Sequence, residues 1–169
     1  MGKFKRGQTE TDHSKSDLIF IGIDPGAIGA IAFIDPLQNI IQLRDWPGDE
    51  LQAAQIVILG KLMCGDSNLK GAIEKVHSMP GQGVRSMFSF GTNFGIWRGI
   101  LATLEIPFLL PAPQTWQKGI LHKAQDQQPK LAAAGRMFPG AELYGPRGGG
   151  KDGRADALLI ADWCRRQFV

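Results

Sequence analysis

The hydrophobic pattern divides the chain into short apolar runs punctuated by Gly, Pro and Asp. Leu18-Ile19-Phe20-Ile21-Gly22-Ile23 is nearly continuous and rich in β-branched residues, the pattern of a central strand buried on both faces. It stops at Asp24-Pro25-Gly26, which is strong turn chemistry. A second run, Gly29 to Ile34, halts at Asp35-Pro36, and a third, Ile40 to Leu43, follows Gln38-Asn39. These three predict an antiparallel meander with tight connections. Asp49 is placed to cap a helix whose apolar stripe runs through Leu51, Ala54, Ile58 and Leu62 and closes near Gly65.

Further along, Gly71 to Val76 reads as another strand, with Glu74 inside it. His77 to Thr92, rich in Gly and Ser, reads as a loop. Phe94 to Leu104 reads as a helix with Ile96, Trp97, Ile100, Leu101 and Leu104 on one side. Pro107 to Pro111 is a short strand, and Gln114 to Leu121 and Lys130 to Phe138 are short helices. The run from Gly145 to Gly150 suggests a pliable hinge before a last helix from Asp152 to about Gln167. Strands in succession, then strands alternating with helices, predict a mixed α/β sheet. Residues 1–17 lack periodicity and read as a flexible tail, leaving 18–169 as one domain.

Composition narrows the class. A chain of 169 residues suits a single domain with a core of its own. Hydrophobic residues at 43% and charged residues at 21% exclude wholesale disorder, a coiled coil and a collagen-like rod. Two cysteines, Cys64 and Cys164, are too few for a disulfide framework or a Cys-rich zinc module. No apolar run is long enough to span a membrane, and residues 1–17 have no apolar core of a secretory signal. A soluble, non-secreted, cytoplasmic protein is expected. The net charge of +3 leans toward a polyanionic partner, and bases outnumber acids from Lys61 to Lys130, as a nucleic-acid surface would need.

Four carboxylates stand out by placement. Asp24 ends the first central strand, Glu74 lies in a later apolar run, and Asp152 and Asp156 share one face at the start of the last helix. Asp24 alone also suits a turn before Pro-Gly, and Asp152 alone also suits a helix N-cap. Asp156 sits where an apolar residue would pack equally well, in Ala155-Asp156-Ala157-Leu158-Leu159. Together the four suit hard divalent cations, which take oxygen ligands. Two Mg²⁺ ions would neutralise their mutual repulsion and support in-line phosphodiester hydrolysis. His13, His77 and His122 have no zinc-site spacing. Gly145 to Lys151 matches the glycine and lysine positions of a P-loop, but Asp152 stands where Ser or Thr should hold Mg²⁺, so a nucleotide loop is disfavoured.

The order of these motifs is familiar: Gly22-Ile23-Asp24-Pro25-Gly26, then Ile73-Glu74-Lys75-Val76, then Asp152 and Asp156-Ala157-Leu158-Leu159-Ile160-Ala161. It resembles the RuvC-type Holliday junction resolvases, and Ser89-Phe90-Gly91 through Leu101 is most similar to their phage and chloroplast branch. The resemblance implies an RNase H-like fold, with three antiparallel strands followed by parallel ones and helices on both faces. It also implies Mg²⁺ dependence with Mn²⁺ as substitute, a homodimer, and cleavage of two opposed strands of a four-way DNA junction. The compartment would be that of a bacterial or phage-infected cell, or an organelle.

Carried over by residue, Asp24, Glu74, Asp152 and Asp156 would be the metal ligands. Lys118 stands where the family often has a base near the scissile phosphate, and Lys151 competes for that role. The last two acids are four apart here rather than the three usual in bacterial members, and His77 replaces the Phe that follows the strand Glu. His77, Arg85, Phe88, Phe90, Arg98, Lys123 and Lys151 are the candidate DNA contacts, by phosphate binding or base stacking. Phe88 and Phe90 would equally suit a core. Two other readings stand beside this one: an RNase H-like nuclease for RNA or RNA–DNA hybrids, and a non-catalytic binder of branched DNA.

Overall fold

The structure, a computed structural model, describes residues 18–65, 68–75, 83–121 and 128–169. The expected tail, residues 1–17, lies outside them, as do His77 and Lys123. The meander forms as its pattern predicts: β1 (Leu18–Asp24) pairs antiparallel with β2 (Ala30–Ile34), which pairs antiparallel with β3 (Ile40–Asp45). On the other side of β1, β4 (Asn68–Ile73) and then β5 (Phe108–Leu109) add in parallel. The sheet order is β3-β2-β1-β4-β5, which puts β1 at the centre.

Side-chain alternation on the central strands builds two cores. Ile19, Ile21, Ile23, Ile31 and Phe33 face one layer, formed by α1 (Glu50–Met63) and α2 (Val84–Thr103). Phe20, Ala30, Ala32 and Ile34 face the other, formed by α3 (Pro113–Gln117), α4 (Pro129–Met137) and α5 (Asp152–Arg165). Helices therefore cover both faces, as expected. No described helix is long and apolar enough to cross a membrane.

α5 lies almost in contact with the β1 backbone. A Cβ on Gly22 would stand 2.0 Å from the Ala157 carbonyl oxygen and 2.2 Å from the Ala161 nitrogen. A glycine in the strand and alanines in the helix are what permit that approach. Gly153 does the same at the helix start, where a Cβ would meet the Ile28 carbonyl oxygen at 2.2 Å. The first turn of α5 is thereby pinned to the β1–β2 turn.

Several boundaries differ from the sequence-based expectation. Asp49 caps α1 as predicted, accepting from Gln52 N at 2.8 Å, but the buried face is Ala53, Val57 and Gly60. Leu51, Ile58 and Leu62 are exposed. Small residues face the sheet because Phe33 fills that space: a Cβ on Gly60 would meet its ring at 2.5 Å. The segment 84–92 is helix rather than loop. Asn93, Trp97 and Leu101 form a buried stripe, and the helix they anchor extends toward the N-terminus despite its glycines.

Glu74 stands one residue beyond β4, although its N–H still donates to Ile23 O at 3.0 Å. The glycine run 145–150 is no free hinge: Tyr144 and Gly150 bridge, and Gly145 N donates to Gly149 O at 2.8 Å. Asp152 is the first residue of α5, and Lys151 occupies the cap.

The Gly22 contact yields a direct expectation. Gly22→Ala should lower unfolding stability by about 3 kcal/mol or more, since neither backbone can retreat, as read from the midpoint of urea denaturation. An unchanged midpoint would show that α5 can move off β1.

Candidate active site

The parallel pairing of β1 and β4 sets the C-terminal ends of both strands side by side, with Ile23 opposite Ile73. Asp24 and Glu74 follow those partners directly, so both acids emerge at the same edge of the sheet. The turn Asp24-Pro25-Gly26 folds back on its own carboxylate, and Gly26 N donates to Asp24 Oδ1 at 3.0 Å. Glu74 Oε1 accepts from the indole Nε1 of Trp116 on α3 at 3.0 Å. α5 then brings Asp152 and Asp156 to this edge. Its first turn is held against the β1–β2 turn by Gly153, which decides where both aspartates fall. The four acids singled out in the sequence are thus near enough to act on one another's ionisation.

Their depths differ. Asp156 is 5% exposed and Asp24 9%, whereas Glu74 is half-buried and Asp152 exposed. Burial pushes the Asp156 carboxyl up to about 7; Lys130 opposes the shift, and Asp24 and Glu74 add to it by like-charge repulsion. Asp24 is also raised, first by burial, with Asp152 adding to the shift, against the lowering pull of the Gly26 N–H and of Lys130.

Lys130, on α4, is the residue that sequence reasoning missed as part of the site. Its ammonium makes a hydrogen-bonded ion pair with Asp156 Oδ2. Burial alone would lower its pKa, but Asp156, Asp24 and Glu74 outweigh that and hold it above its ordinary value. Trp116 was missed as well. No spacing announces either residue, since α3 and α4 reach the acids only through tertiary packing. The one hint was local: each sits in a short segment opened by proline, Pro113 and Pro129.

The other expected residues are placed as follows. Lys118 is exposed at the end of α3. Lys151 donates to Asp45 Oδ2 at 2.7 Å, beside Arg154, which pairs with the same carboxylate at 2.5 Å. Arg85 and Arg98 are exposed on α2, and Arg98 lies 5.3 Å from the centre of the Phe94 ring. Phe88 is 76% exposed. Phe90 is half-buried with its ring edge at Gly26, next to the Asp24 turn, where Asn93 Nδ2 also donates to Gly26 O at 3.4 Å.

Among the described residues, no three carboxylates close on one point tightly enough to hold a cation, and Lys130 supplies the positive charge at Asp156. The donor chemistry nevertheless fits a hard divalent cation. All four groups offer anionic oxygen. Asp156 Oδ1 is buried without any hydrogen-bond partner, and burial holds the two deeper carboxyls of the four, Asp156 and Asp24, toward their neutral forms.

The fold this chain adopts is the RNase H-like fold in the form found in RuvC. Thermus thermophilus RuvC in complex with a Holliday junction substrate is similar over 86% of this chain and 91% of that one, at 15% identity and a TM-score of 0.59. A second Thermus thermophilus RuvC structure covers 88% and 96%, at 12% identity and 0.56. The yeast mitochondrial Holliday junction resolvase Ydc2 covers 93% and 80%, at 17% identity and 0.52. No protein-family model matches the sequence, and no curated protein matches it.

The raised Asp156 carboxyl makes the metal-free protein pH-sensitive with a definite sign. The folded state holds this proton up to about pH 7, while the unfolded chain releases it near the ordinary value of 3.8. The group's contribution to stability therefore declines as pH rises from 4 to 7 and stays low above that. In EDTA, Asp156→Asn should flatten the fall in Tm across this range and melt above the parent at pH 8. Equal slopes for the two proteins would remove Asp156 as the source.

Proposed function

We propose that the chain is a metal-dependent endonuclease that resolves four-way DNA junctions by paired phosphodiester hydrolysis, acting as a homodimer. The observation that carries this is the gathering of Asp24, Glu74 and Asp156 around Lys130, with Asp152 acting on Asp24, at one edge of a RuvC-like sheet. One of the similar structures holds a Holliday junction substrate, and another is named as a junction resolvase.

In this reading Asp24, Glu74, Asp152 and Asp156 hold Mg²⁺, or Mn²⁺ in its place, as a pair of ions. When bound, the metal supplies Lewis acidity and an activated water. The chain's own residues do the rest. Gly26 fixes Asp24, and Trp116 fixes Glu74, so neither carboxylate spends freedom on finding its place. Lys130, kept charged by the surrounding acids, offsets the negative charge that grows on the phosphate as the new bond forms. Lys118, exposed at the end of α3, and Lys151, at the start of α5, are the further candidates for a base near the scissile phosphate. Arg85 and Arg98 line α2 to take backbone phosphates, and exposed Phe88 offers a face for an unpaired base. His77 and Lys123 belong to the same proposed DNA surface.

Two cuts need two acid clusters, and the described residues of one chain form the one around Asp24 and Asp156. The outer face of α1 and α2 is suited to a second copy. Leu51, Leu59, Leu62 and Met63 are exposed on α1, and beside them an apolar groove of about 410 Å³ runs between Ile58 and Gly95–Gly99. A Cβ at Gly91, Gly95 or Gly99 would meet nothing, so another helix can approach this stripe closely.

Two experiments test the proposal. With Mg²⁺, a synthetic four-way junction should be cut at paired sites, with linear duplex and RNA–DNA hybrid spared. Asp24→Asn should reduce cutting by at least about a thousandfold while junction affinity is kept. Cutting of all three substrates at one rate would instead favour a general RNase H-like nuclease, and binding without cutting would favour a non-catalytic junction binder. Sedimentation should give a dimer for the parent and a monomer for Gly95→Gln with Gly99→Gln, changes that favour helix and so leave folding intact. A dimeric double variant would place the interface elsewhere.

A further inference from the structure

Beyond the acid cluster, α4 and α5 frame a second polar site. A cavity of about 290 Å³ opens at the C-terminal end of both helices, lined by Gln38, Ile120, Arg136, Asp162, Arg165 and Arg166. Asp162 is 1% exposed. Its Oδ1 accepts from Gln38 Nε2 at 2.7 Å and from Arg165 Nε and Nη2 at 3.0 and 2.9 Å. Arg166 Nε lies 2.9 Å from Oδ2. The buried carboxylate thus holds the Arg165 guanidinium by two hydrogen bonds and pairs with Arg166 by charge, its Oδ2 accepting no hydrogen bond.

That grip leaves donors facing the cavity. Among the described residues, Arg165 Nη1 and both Nη groups of Arg166 have no other partner. The two guanidiniums of Arg165 and Arg166 thus stand against the one carboxylate that pairs with both. The carbonyls that end α4 and α5 bring only partial negative charges to this end, whereas Arg165 and Arg166 each bring a full positive one. Fixed guanidinium forks match the oxygens of phosphate and bind them bidentately. Asp162 therefore works as a positioning residue: it fixes the Arg165 guanidinium by two hydrogen bonds and draws that of Arg166 to the same place by charge.

We propose that this cavity is a phosphate-binding site, filled by a backbone phosphate of a DNA arm lying outside the catalytic edge. The DNA source rests on the reading under Proposed function; the phosphate chemistry does not. Lys130 meets Asp156 on the same helix pair that, six residues further on in each, brings Arg136 and Asp162 to the lining of this cavity. Six helical residues rise roughly 9 Å, about three nucleotide steps of one strand. A duplex arm leaving the catalytic edge can reach both.

Two measurements test this, one free of DNA. In the first, inorganic phosphate is titrated into the ¹⁵N-labelled protein. The Nε–Hε signals of Arg165 and Arg166 should shift saturably, and Asp162→Asn should weaken the response. In the second, four-way junction binding is measured with Mg²⁺ in the uncleaving Asp24→Asn background. Adding Arg166→Gln should weaken binding about tenfold near 0.1 M salt and reduce the slope of log K against log salt by about 1. Arg166→Lys should recover only part of the loss, because it restores charge without the fork. Full recovery by lysine would overturn the built site in favour of diffuse charge. Phosphate shifts without any change in junction affinity would overturn the DNA source and assign the cavity to free phosphate or a small phosphorylated molecule. No phosphate shift would overturn the site itself. A parent that ignores junctions altogether would remove the resolvase reading, and the phosphate titration would still decide the cavity.

Discussion

The approach of α5 to β1 at Gly22 is the constraint on which the rest of the molecule depends. No side chain fits between the Gly22 Cα and the helix backbone, and Ala157 and Ala161 keep the helix side equally bare. Helix and strand are therefore locked in one relative position. Because Asp24 ends that strand and Asp152 and Asp156 open that helix, the lock also sets the spacing of the acids. Gly153 adds a second point of contact at the helix start, which prevents the first turn from pivoting about Gly22. Packing of small residues and placement of charge are the same event here.

Electrostatics then works against packing. Asp156 and Asp24 are buried near each other, and burial raises both carboxyls before any neighbour is considered. Lys130 relieves part of this, at a position where its own charge is secured by three acids. The cluster holds a proton near neutrality and leaves Asp156 Oδ1 unpartnered, and in the proposed function a cation would take that proton's place. The strain is local to the site, while the two apolar layers on either side of the sheet hold it in place.

The surface is organised around the same edge. α2 carries Arg85, Arg98 and exposed Phe88 past the Asp24 turn, with Phe90 seated against Gly26. Its outer face, with that of α1, is apolar and glycine-lined instead of charged. At the far end of α5 the charge is basic again, around Asp162. A single helix thus links an acidic end to a basic one.

Much of this was legible along the chain. The meander, the Asp49 cap, the final helix and the four carboxylates follow from local signals: β-branched runs, turn residues, and acids set in apolar context. Each is decided by residues adjacent in sequence, where turn sterics and side-chain alternation act. The buried face of α1 was not legible, because Phe33 from another strand, and not α1's own hydrophobicity, demanded a glycine at position 60. Nor was the helix over 84–92, whose poor propensity is overcome by the packing of Trp97 and Leu101 further on. Lys130, Trp116 and the arginine clamp at Asp162 escaped for the same reason: their partners are brought to them by distant segments. The sequence by itself determined which residues carry charge and where strands and turns begin. The tertiary structure alone decided which charges meet, since burial and Coulomb energy depend on distances through space that chain order does not set.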